Sequence, residues 1–132
     1  MTQKDKSLLL KDLCARLPYG VVYHRNDGAN IKLNAIDAER GLFNYTDDIE
    51  ERECKPYLRP MSSMTEEEYD DMFHQLYSAQ KEFFRNCSNA DTIGKIIGND
   101  MVIYDWLTKK MFDFRCLIPK GLALAAPEGM YN

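Results

Sequence analysis

The chain has 132 residues, the usual size of one domain, and 45% of them are hydrophobic. This composition is typical of a folded protein and excludes disorder over most of the length. Seventeen Lys and Arg against 21 Asp and Glu give a formal net charge of −4, which disfavours binding to duplex DNA or to an anionic membrane. We therefore expect one domain over residues 1–132, with a protein or a small molecule as its partner.

The sequence carries no targeting or membrane signal. The first ten residues lack the apolar run and the cleavage site of a secretory signal peptide, and the apolar stretch at 122–126 is far shorter than a membrane span. The four cysteines form no CxxC pair and have no histidine at metal-ligand spacing. We expect reduced thiols in a cytoplasmic protein rather than the disulfides of a secreted one. The cysteines are Cys14, Cys54, Cys87 and Cys116.

A first helix is predicted between Ser7, which can cap it, and Pro18, which cannot continue it. Its apolar side chains recur with a period of about 3.6 residues, which defines one buried face. We expect Lys11, Asp12 and Arg16 on the opposite face, in solvent. The apolar residues are Leu9, Leu10, Leu13, Cys14 and Leu17.

Three short strands follow, joined by two turns. Residues 20–23 and 31–35 have the apolar patterns of strands, and Asn26–Asp27–Gly28 between them is typical of a tight hairpin turn. A second turn at 39–41 leads to a third strand at 42–45. This order predicts an antiparallel meander.

The next segment is predicted to leave the meander. Residues 47–53 carry five acids and one Arg, which indicates a solvated loop. Residues 54–61 contain Pro56 and Pro60, so we expect an extended edge strand or a polyproline-like crossing. A central strand needs backbone N–H groups that proline lacks.

A second helix is predicted after Thr65, which forms a capping box with Glu68. Three glutamates occupy its first turn, where the helix dipole favours negative charge. Its apolar side chains form a stripe at helical spacing, which we expect in the core. The stripe consists of Tyr69, Met72, Phe73, Leu76, Tyr77, Phe83 and Phe84.

The remainder is predicted as an irregular segment, a helix and an ordered tail. Residues 86–99 are rich in Asn, Ser and Gly, and Asn99 or Asp100 can cap a last helix over 101–112, with Trp106 in the core. Residues 113–132 contain too many apolar side chains for a free tail. We expect them to pack on the domain with one short strand near Leu122, Ala123, Leu124 and Ala125.

Strand signals therefore cluster between residues 19 and 60, and helix signals between 65 and 112. This segregated order is typical of the α+β class. We expect an N-terminal helix, a three- or four-stranded antiparallel meander, and two further helices packed on one face of the sheet.

Three segments are distinctive: LLLKDLCARLPYGV at 8–21, KPYLRPMSSMTEEE at 55–68, and DWLTKKMFDFRCLIPKGLALAAPEGMY at 105–131. In these segments the chain resembles a family of uncharacterised short proteins encoded by gut anaerobic bacteria and by their phages and mobile elements. The family carries no established activity, so the resemblance implies no catalytic residue. It implies an intracellular bacterial or phage setting and an accessory role.

No convergent catalytic set is evident in the sequence. His24 and His74 would each need a thiol or carboxylate brought to them by folding, and Cys116 has only the neighbouring charge of Arg115 to lower its pKa. The acid clusters lack the ligand spacing of a calcium loop, and the glycines at 94 and 98 lack the residues of a phosphate loop. We therefore expect no enzyme activity, no cofactor and no metal.

One constellation combines aromatic and basic side chains, which can bind a protein or stack on single-stranded nucleic acid. The alternative is that Tyr57 and Phe114 anchor their segments to the core while the cations lie along the surface. The leading hypothesis is a non-enzymatic protein-interaction module, and the second is a nucleic-acid-linked regulator. The constellation consists of Lys55, Tyr57, Arg59, Phe114 and Arg115.

Overall fold

A computed structural model of the chain describes the backbone of residues 1–86 and 92–131 and the side chains of residues 1–78 and 100–131. Contacts between residues divide the chain into unit 1 (Met1–Met61 with Met111–Asn132) and unit 2 (Ser62–Lys110). The predicted α+β class, with an N-terminal helix, antiparallel strands and two further helices, is confirmed. A single domain, and the packing of the later helices on one sheet face, stay predictions.

Helix α1 (Gln3–Arg16) begins with a reciprocal cap. The Thr2 hydroxyl accepts a hydrogen bond from Asp5 N (3.1 Å), and the Asp5 carboxylate accepts one from Thr2 N (3.3 Å). This capping box satisfies N–H groups that the start of a helix leaves without partners. The start predicted at Ser7 was therefore wrong, whereas the helix stops before Pro18 as predicted.

The buried face of α1 carries two charges. Its buried residues follow the spacing i, i+3, i+4, i+7, and Asp12 and Arg16 take two of those positions with 0% exposure. Their predicted position in solvent was wrong, because the two side chains pair with each other across one helical turn. Cys14, which was predicted in the core, is exposed. The apolar residues of the buried face are Leu9 and Leu13.

Short strands form two sheets in unit 1. In chain order they are β1 (Val22–His24), β2 (Asn30–Lys32), β3 (Ile36–Asp37), β4 (Leu42–Phe43), β5 (Asp47–Asp48), β6 (Lys55–Leu58) and β7 (Leu124–Ala125). One sheet has the order β2-β1-β6-β7, and the other has the order β3-β4-β5. The predicted hairpin is confirmed by the antiparallel β1–β2 pairing. Gly28 lies in its turn at φ +91°, where a left-handed backbone favours glycine.

Strand β6 lies between β1 and β7, so the predicted edge position was wrong. Pairing is divided along the strand: Lys55 and Pro56 pair with β1, whereas Tyr57 and Leu58 pair with β7. A central position is therefore compatible with a proline, which cannot donate a ladder hydrogen bond. The β6–β7 pairing is parallel, and the other strand pairs are antiparallel.

The predicted meander was wrong in its third strand, because β4 does not continue the β1–β2 hairpin: it pairs with β3 and β5 in the separate three-stranded sheet, itself a meander. The predicted turn at 39–41 joins β3 to β4. A Cβ added at Gly41 would lie 2.8 Å from Lys6 Cε, so α1 packs closely on this turn. The solvated loop predicted over 47–53 was wrong in its first part, because Asp47 and Ile49 are buried.

Unit 2 contains helices α2 (Glu66–Asn86) and α3 (Thr92–Lys109). The predicted capping box is confirmed, because Glu68 N donates to Thr65 Oγ1 (3.1 Å) and Thr65 N donates to Glu68 Oε1 (3.2 Å). Trp106 of α3 is buried as predicted, and its indole N–H donates to Asp71 Oδ2 of α2 (3.0 Å). This hydrogen bond joins the two helices.

Helix α3 begins earlier than predicted. The irregular segment predicted over 86–99 was wrong from residue 92 onward, and so was a last helix that begins at Met101. In the sequence, apolar residues at 93, 96 and 97 have the spacing i, i+3, i+4, which favours a helix although each of the two glycines costs about 1 kcal/mol. Residues 87–91, which belong to the same predicted segment and include Cys87, lie outside the described residues.

The stripe predicted for the core of α2 is only partly buried. Met72 and Leu76 are half-buried, whereas Tyr69, Phe73 and Tyr77 expose 50%, 47% and 58% of their surface. The core prediction was therefore wrong for these three aromatic side chains. The stripe residues whose side chains lie outside the described ones are Phe83 and Phe84.

The C-terminal segment packs into unit 1, as predicted. Leu117, Leu122 and Ala123 belong to the same buried cluster as Leu9 and Leu13 of α1. β7 then adds a parallel strand to β6. The segment is therefore part of the core.

We expect deletion of residues 113–132 to abolish cooperative unfolding. A fully buried leucine contributes about 1.5–3 kcal/mol, and the deletion removes several apolar side chains from a fold with about 5–15 kcal/mol of net stability. Urea unfolding followed by circular dichroism measures this loss. Glu128→Ala, an exposed change in the same segment, should stay within about 0.5 kcal/mol of the unaltered chain. A deletion that leaves the transition sharp, with an unchanged midpoint, would contradict the prediction.

Candidate functional site

Two residues of the predicted constellation lie on one face of β6. Lys55 and Tyr57 are half-buried and alternate with buried Pro56 and Leu58. His24 lies opposite Lys55 in the β1–β6 register, and opposed residues of an antiparallel pair share a face. The structure therefore brings His24, which the sequence analysis considered alone, to the same surface.

A small polar cluster joins three strands on this face. The Tyr57 hydroxyl lies 3.2 Å from His24 Nδ1 and donates to Asn30 Oδ1 (3.0 Å). His24 Nδ1 and Asn30 Oδ1 are themselves 2.9 Å apart. Because the three side chains come from β6, β1 and β2, their hydrogen bonds hold the imidazole in a defined orientation.

Arg59, the next member, is bound to the C-terminal segment. Its backbone N–H donates to Met111 O (2.7 Å), and its carbonyl accepts from Asp113 N (2.9 Å). The guanidinium carbon lies 4.2 Å from the centroid of the Phe112 ring, a cation–π contact. Arg59 therefore contributes to packing in unit 1.

Phe114 and Arg115 contact α1. Arg115 Nη1 donates to Asp12 Oδ1 (2.7 Å), and its guanidinium carbon lies 4.5 Å from the Phe114 ring centroid. The guanidinium of Arg16 lies 5.4 Å from the same ring centroid. These contacts favour the alternative that the aromatic side chains of the constellation anchor their segments.

Arg115 belongs to an ion cluster that was not predicted from the sequence. Arg16 Nε and Nη2 donate to the two Asp12 oxygens (2.8 and 3.1 Å), and Nη2 also donates to Phe112 O (2.6 Å). Arg16 Nη1 is buried and has no hydrogen-bond partner among the described residues. The available signal was the i, i+4 spacing of Asp12 and Arg16. That spacing is also common on solvent-exposed helix faces.

A second buried polar cluster surrounds Asp47. The Tyr23 hydroxyl donates to Asp47 Oδ2 (2.5 Å), and Arg25 Nη1 donates to Asp47 Oδ1 (3.1 Å). Burial and the hydrogen bond to Asp47 raise the pKa of Tyr23 well above its ordinary value. Burial, followed by the negative charge of Asp47, raises the pKa of the Cys54 thiol to about 12. Both side chains therefore stay neutral near pH 7, and a neutral thiol is a poor nucleophile.

Unit 1 contains a cavity of about 780 Å³, which we call the unit 1 cavity. Its lining includes His24 and Lys55 from the sheet, Lys120 from the turn before β7, and Glu50 and Glu53 from the loop after β5. The cavity has charged walls of both signs. The apolar part of its lining consists of Met1, Ile49, Cys54, Leu122 and Leu124.

Unit 2 carries an exposed surface that we call the aromatic row, formed by Tyr69, Phe73 and Tyr77 of α2. The Tyr69 and Phe73 rings pack edge to face with centroids 4.7 Å apart. Met101 and Tyr104 of α3 expose 58% and 52% of their surface. The sequence pattern grouped the aromatic row correctly, because helical periodicity shows which residues share a face. It does not show whether that face is covered.

The remaining candidates of the sequence analysis are surface residues. His74 is exposed on α2, and Cys116 is exposed beside Arg115, whose guanidinium is directed to Asp12. Among the described residues, no group of three or more His, Cys, Asp or Glu side chains could hold a metal ion. Within the same residues, no helix has the length and apolar character needed to cross a bilayer.

Comparison with protein-family models, with curated proteins and with solved structures finds no match to this chain. Two features are surfaces at which another molecule can bind, in contrast to the contacts that hold the core together: the unit 1 cavity and the aromatic row.

We expect Cys54→Ala to reduce the loss of stability at alkaline pH. The pKa of Cys54 in the folded protein, about 12, lies above the ordinary value of 9.0. The stability that the neutral thiol contributes is therefore fully present below pH 9 and is lost as the pH rises from 9 towards 12. One such group removes at most about 1.4 kcal/mol per pH unit. Urea-unfolding free energies at about pH 8 and about pH 10.5 measure the difference between the variant and the unaltered chain.

Cys14→Ala is the matched control, because Cys14 is exposed. This control should keep the pH dependence of the unaltered chain. If Cys54→Ala loses as much stability between the two pH values as the control, the assignment of the alkaline loss to Cys54 is wrong.

Proposed function

We propose that this protein is a non-enzymatic interaction module that binds a partner protein through the aromatic row. The observation that carries the proposal is the exposure of Tyr69, Phe73 and Tyr77, spaced four residues apart on α2. Side chains at this spacing form one continuous ridge along a helix. Exposed contiguous apolar surface marks interaction sites in folded proteins, and aromatic residues dominate the energetic centres of protein interfaces.

The charges around the aromatic row indicate the kind of partner. Glu66, Glu67 and Asp70 are exposed at the same end of α2 as Tyr69. A complementary surface would present an apolar groove for the aromatic rings and basic residues at its rim. We infer that the partner is a protein with such a groove.

A non-enzymatic role is supported by the state of the buried nucleophiles. The raised pKa values of Cys54 and Tyr23 keep both groups protonated near pH 7. The thiols of Cys14, Cys54 and Cys116 are free, which agrees with a reducing compartment. Together with the resemblance described above, this supports an accessory protein of the bacterial cytoplasm, encoded by a bacterium or its phage.

The nucleic-acid alternative has weaker support. The Arg115 guanidinium pairs with buried Asp12, and the Arg59 guanidinium lies on the Phe112 ring. If Arg115 left Asp12 to bind a phosphate, the carboxylate would stay buried without a compensating positive charge, which is costly. These contacts therefore favour a structural role for the two arginines.

Affinity capture from the native cell, followed by purification of the captured partner, tests the proposal. We expect Phe73→Ser/Tyr77→Ser to weaken binding of that partner at least tenfold in calorimetry, because aromatic anchors commonly contribute about 2 kcal/mol or more each. His74→Ser/Gln75→Ser is the matched control, because both residues are exposed on the same helix outside the row. Circular dichroism should show equal helix content in both variants. Equal affinities of the two variants and the unaltered chain would contradict the proposal.

A further inference from the structure

The unit 1 cavity has the volume of a small-molecule site. Its volume of about 780 Å³ lies within the range of roughly 300–1,000 Å³ that ligand pockets occupy. One wall is the sheet face that carries His24 of β1, Lys55 of β6 and Leu124 of β7. The other lining residues come mainly from loops and from the start of α1, so strands position only part of the lining.

The lining of the cavity includes two lysines, Lys55 and Lys120. Within the described residues, Lys55 and Lys120 form no ion pair. His24 lies on the same sheet face as Lys55, and its Nδ1 atom is engaged by Asn30. Two lysines that line one cavity can each donate a charge-assisted hydrogen bond to a carboxylate.

The three acidic residues of the cavity lining differ in the contacts that their carboxylates make. Asp5 caps α1 through its carboxylate, and Glu50 pairs with Lys6 (3.2 Å). Glu53 forms no ion pair within the described residues. The lining therefore offers one carboxylate for a positive group of a ligand, beside two ammonium groups for a negative group.

The most buried residues of the cavity lining are apolar. Ile49 and Cys54 are buried almost completely, and Leu122 is 6% exposed. The Cys54 thiol is protonated near pH 7 and adds no charge. A ligand with both charges and a short hydrocarbon group would match the cations, the acid and this apolar surface.

We propose that the unit 1 cavity binds a zwitterionic amino acid with an apolar side chain. Lys55 and Lys120 bind its carboxylate, Glu53 binds its ammonium group, and Ile49 and Leu122 contact its side chain. The site is independent of the aromatic row, because every lining residue belongs to unit 1 and the row belongs to unit 2. Failure of one proposal therefore leaves the other intact.

Calorimetric titration of the full chain with L-leucine and two analogues tests the inference. 4-Methylpentanoate lacks the ammonium group, and 3-methylbutylamine lacks the carboxylate. We expect each analogue to bind at least about tenfold more weakly than leucine, because a hydrogen bond between charged groups is lost. Equal binding of all three probes, a preference for 4-methylpentanoate, or no leucine binding up to about 10 mM would overturn the proposal.

Two variants locate the site. Lys120→Ala removes an exposed side chain and should weaken leucine binding about tenfold, whereas Glu53→Gln should abolish the preference for leucine over 4-methylpentanoate. Lys109→Ala, an exposed lysine of unit 2, is the control and should bind leucine normally. Unchanged binding in both cavity variants would place leucine elsewhere and overturn the assignment. Phe73→Ser/Tyr77→Ser should leave leucine binding unchanged.

Discussion

The buried ion pair between Asp12 and Arg16 is the constraint on which the arrangement of unit 1 depends. Removal of two charges from water costs several kcal/mol per ion, so a buried pair needs further hydrogen bonds to offset that cost. Arg16 Nη2 donates one such bond to Phe112 O, and Arg115 Nη1 donates another to Asp12 Oδ1. These partners lie 96 and 103 positions away in the sequence. The buried charges of α1 therefore obtain these hydrogen bonds only when the C-terminal segment packs against the helix.

The same return of the chain builds the surface that carries the unit 1 cavity. The segment after Arg115 supplies β7, which pairs with β6 in parallel, and Lys120 and Leu122 of the cavity lining. Tyr131 then secures the sheet, because its hydroxyl donates to Tyr57 O (2.7 Å) and accepts from Val22 N (3.0 Å). The C-terminal segment therefore both holds the sheet together and supplies part of the cavity lining.

Features that depend on neighbours in the sequence could be predicted. The capping box of Thr65 and Glu68 and the hairpin turn at Gly28 involve residues a few positions apart, and their signals are specific. Periodicity also identified the apolar residues that share one side of α2. It could not show that the aromatic row stays exposed, because exposure depends on what the rest of the chain covers.

Features that depend on distant residues could not be predicted. The partner of Asp12 is 103 positions away, so a polar helix face and a buried ion pair have the same local pattern. His24 and Lys55 meet only through the β1–β6 register, which no local motif indicates. The cavity and the ion cluster therefore required the structure, whereas the fold class did not.

Urea-unfolding free energies of Asp12→Leu, Arg16→Met and the double variant test the central constraint most directly. Asp12→Leu leaves the Arg16 charge buried without its carboxylate and should cost about 3–5 kcal/mol, whereas Arg16→Met leaves Asp12 paired with Arg115 and should cost less. Because apolar replacement of both ions removes the uncompensated charge, the double variant should be more stable than Asp12→Leu alone. A double variant no more stable than Asp12→Leu, or a cost of Asp12→Leu below about 0.5 kcal/mol, would contradict the account.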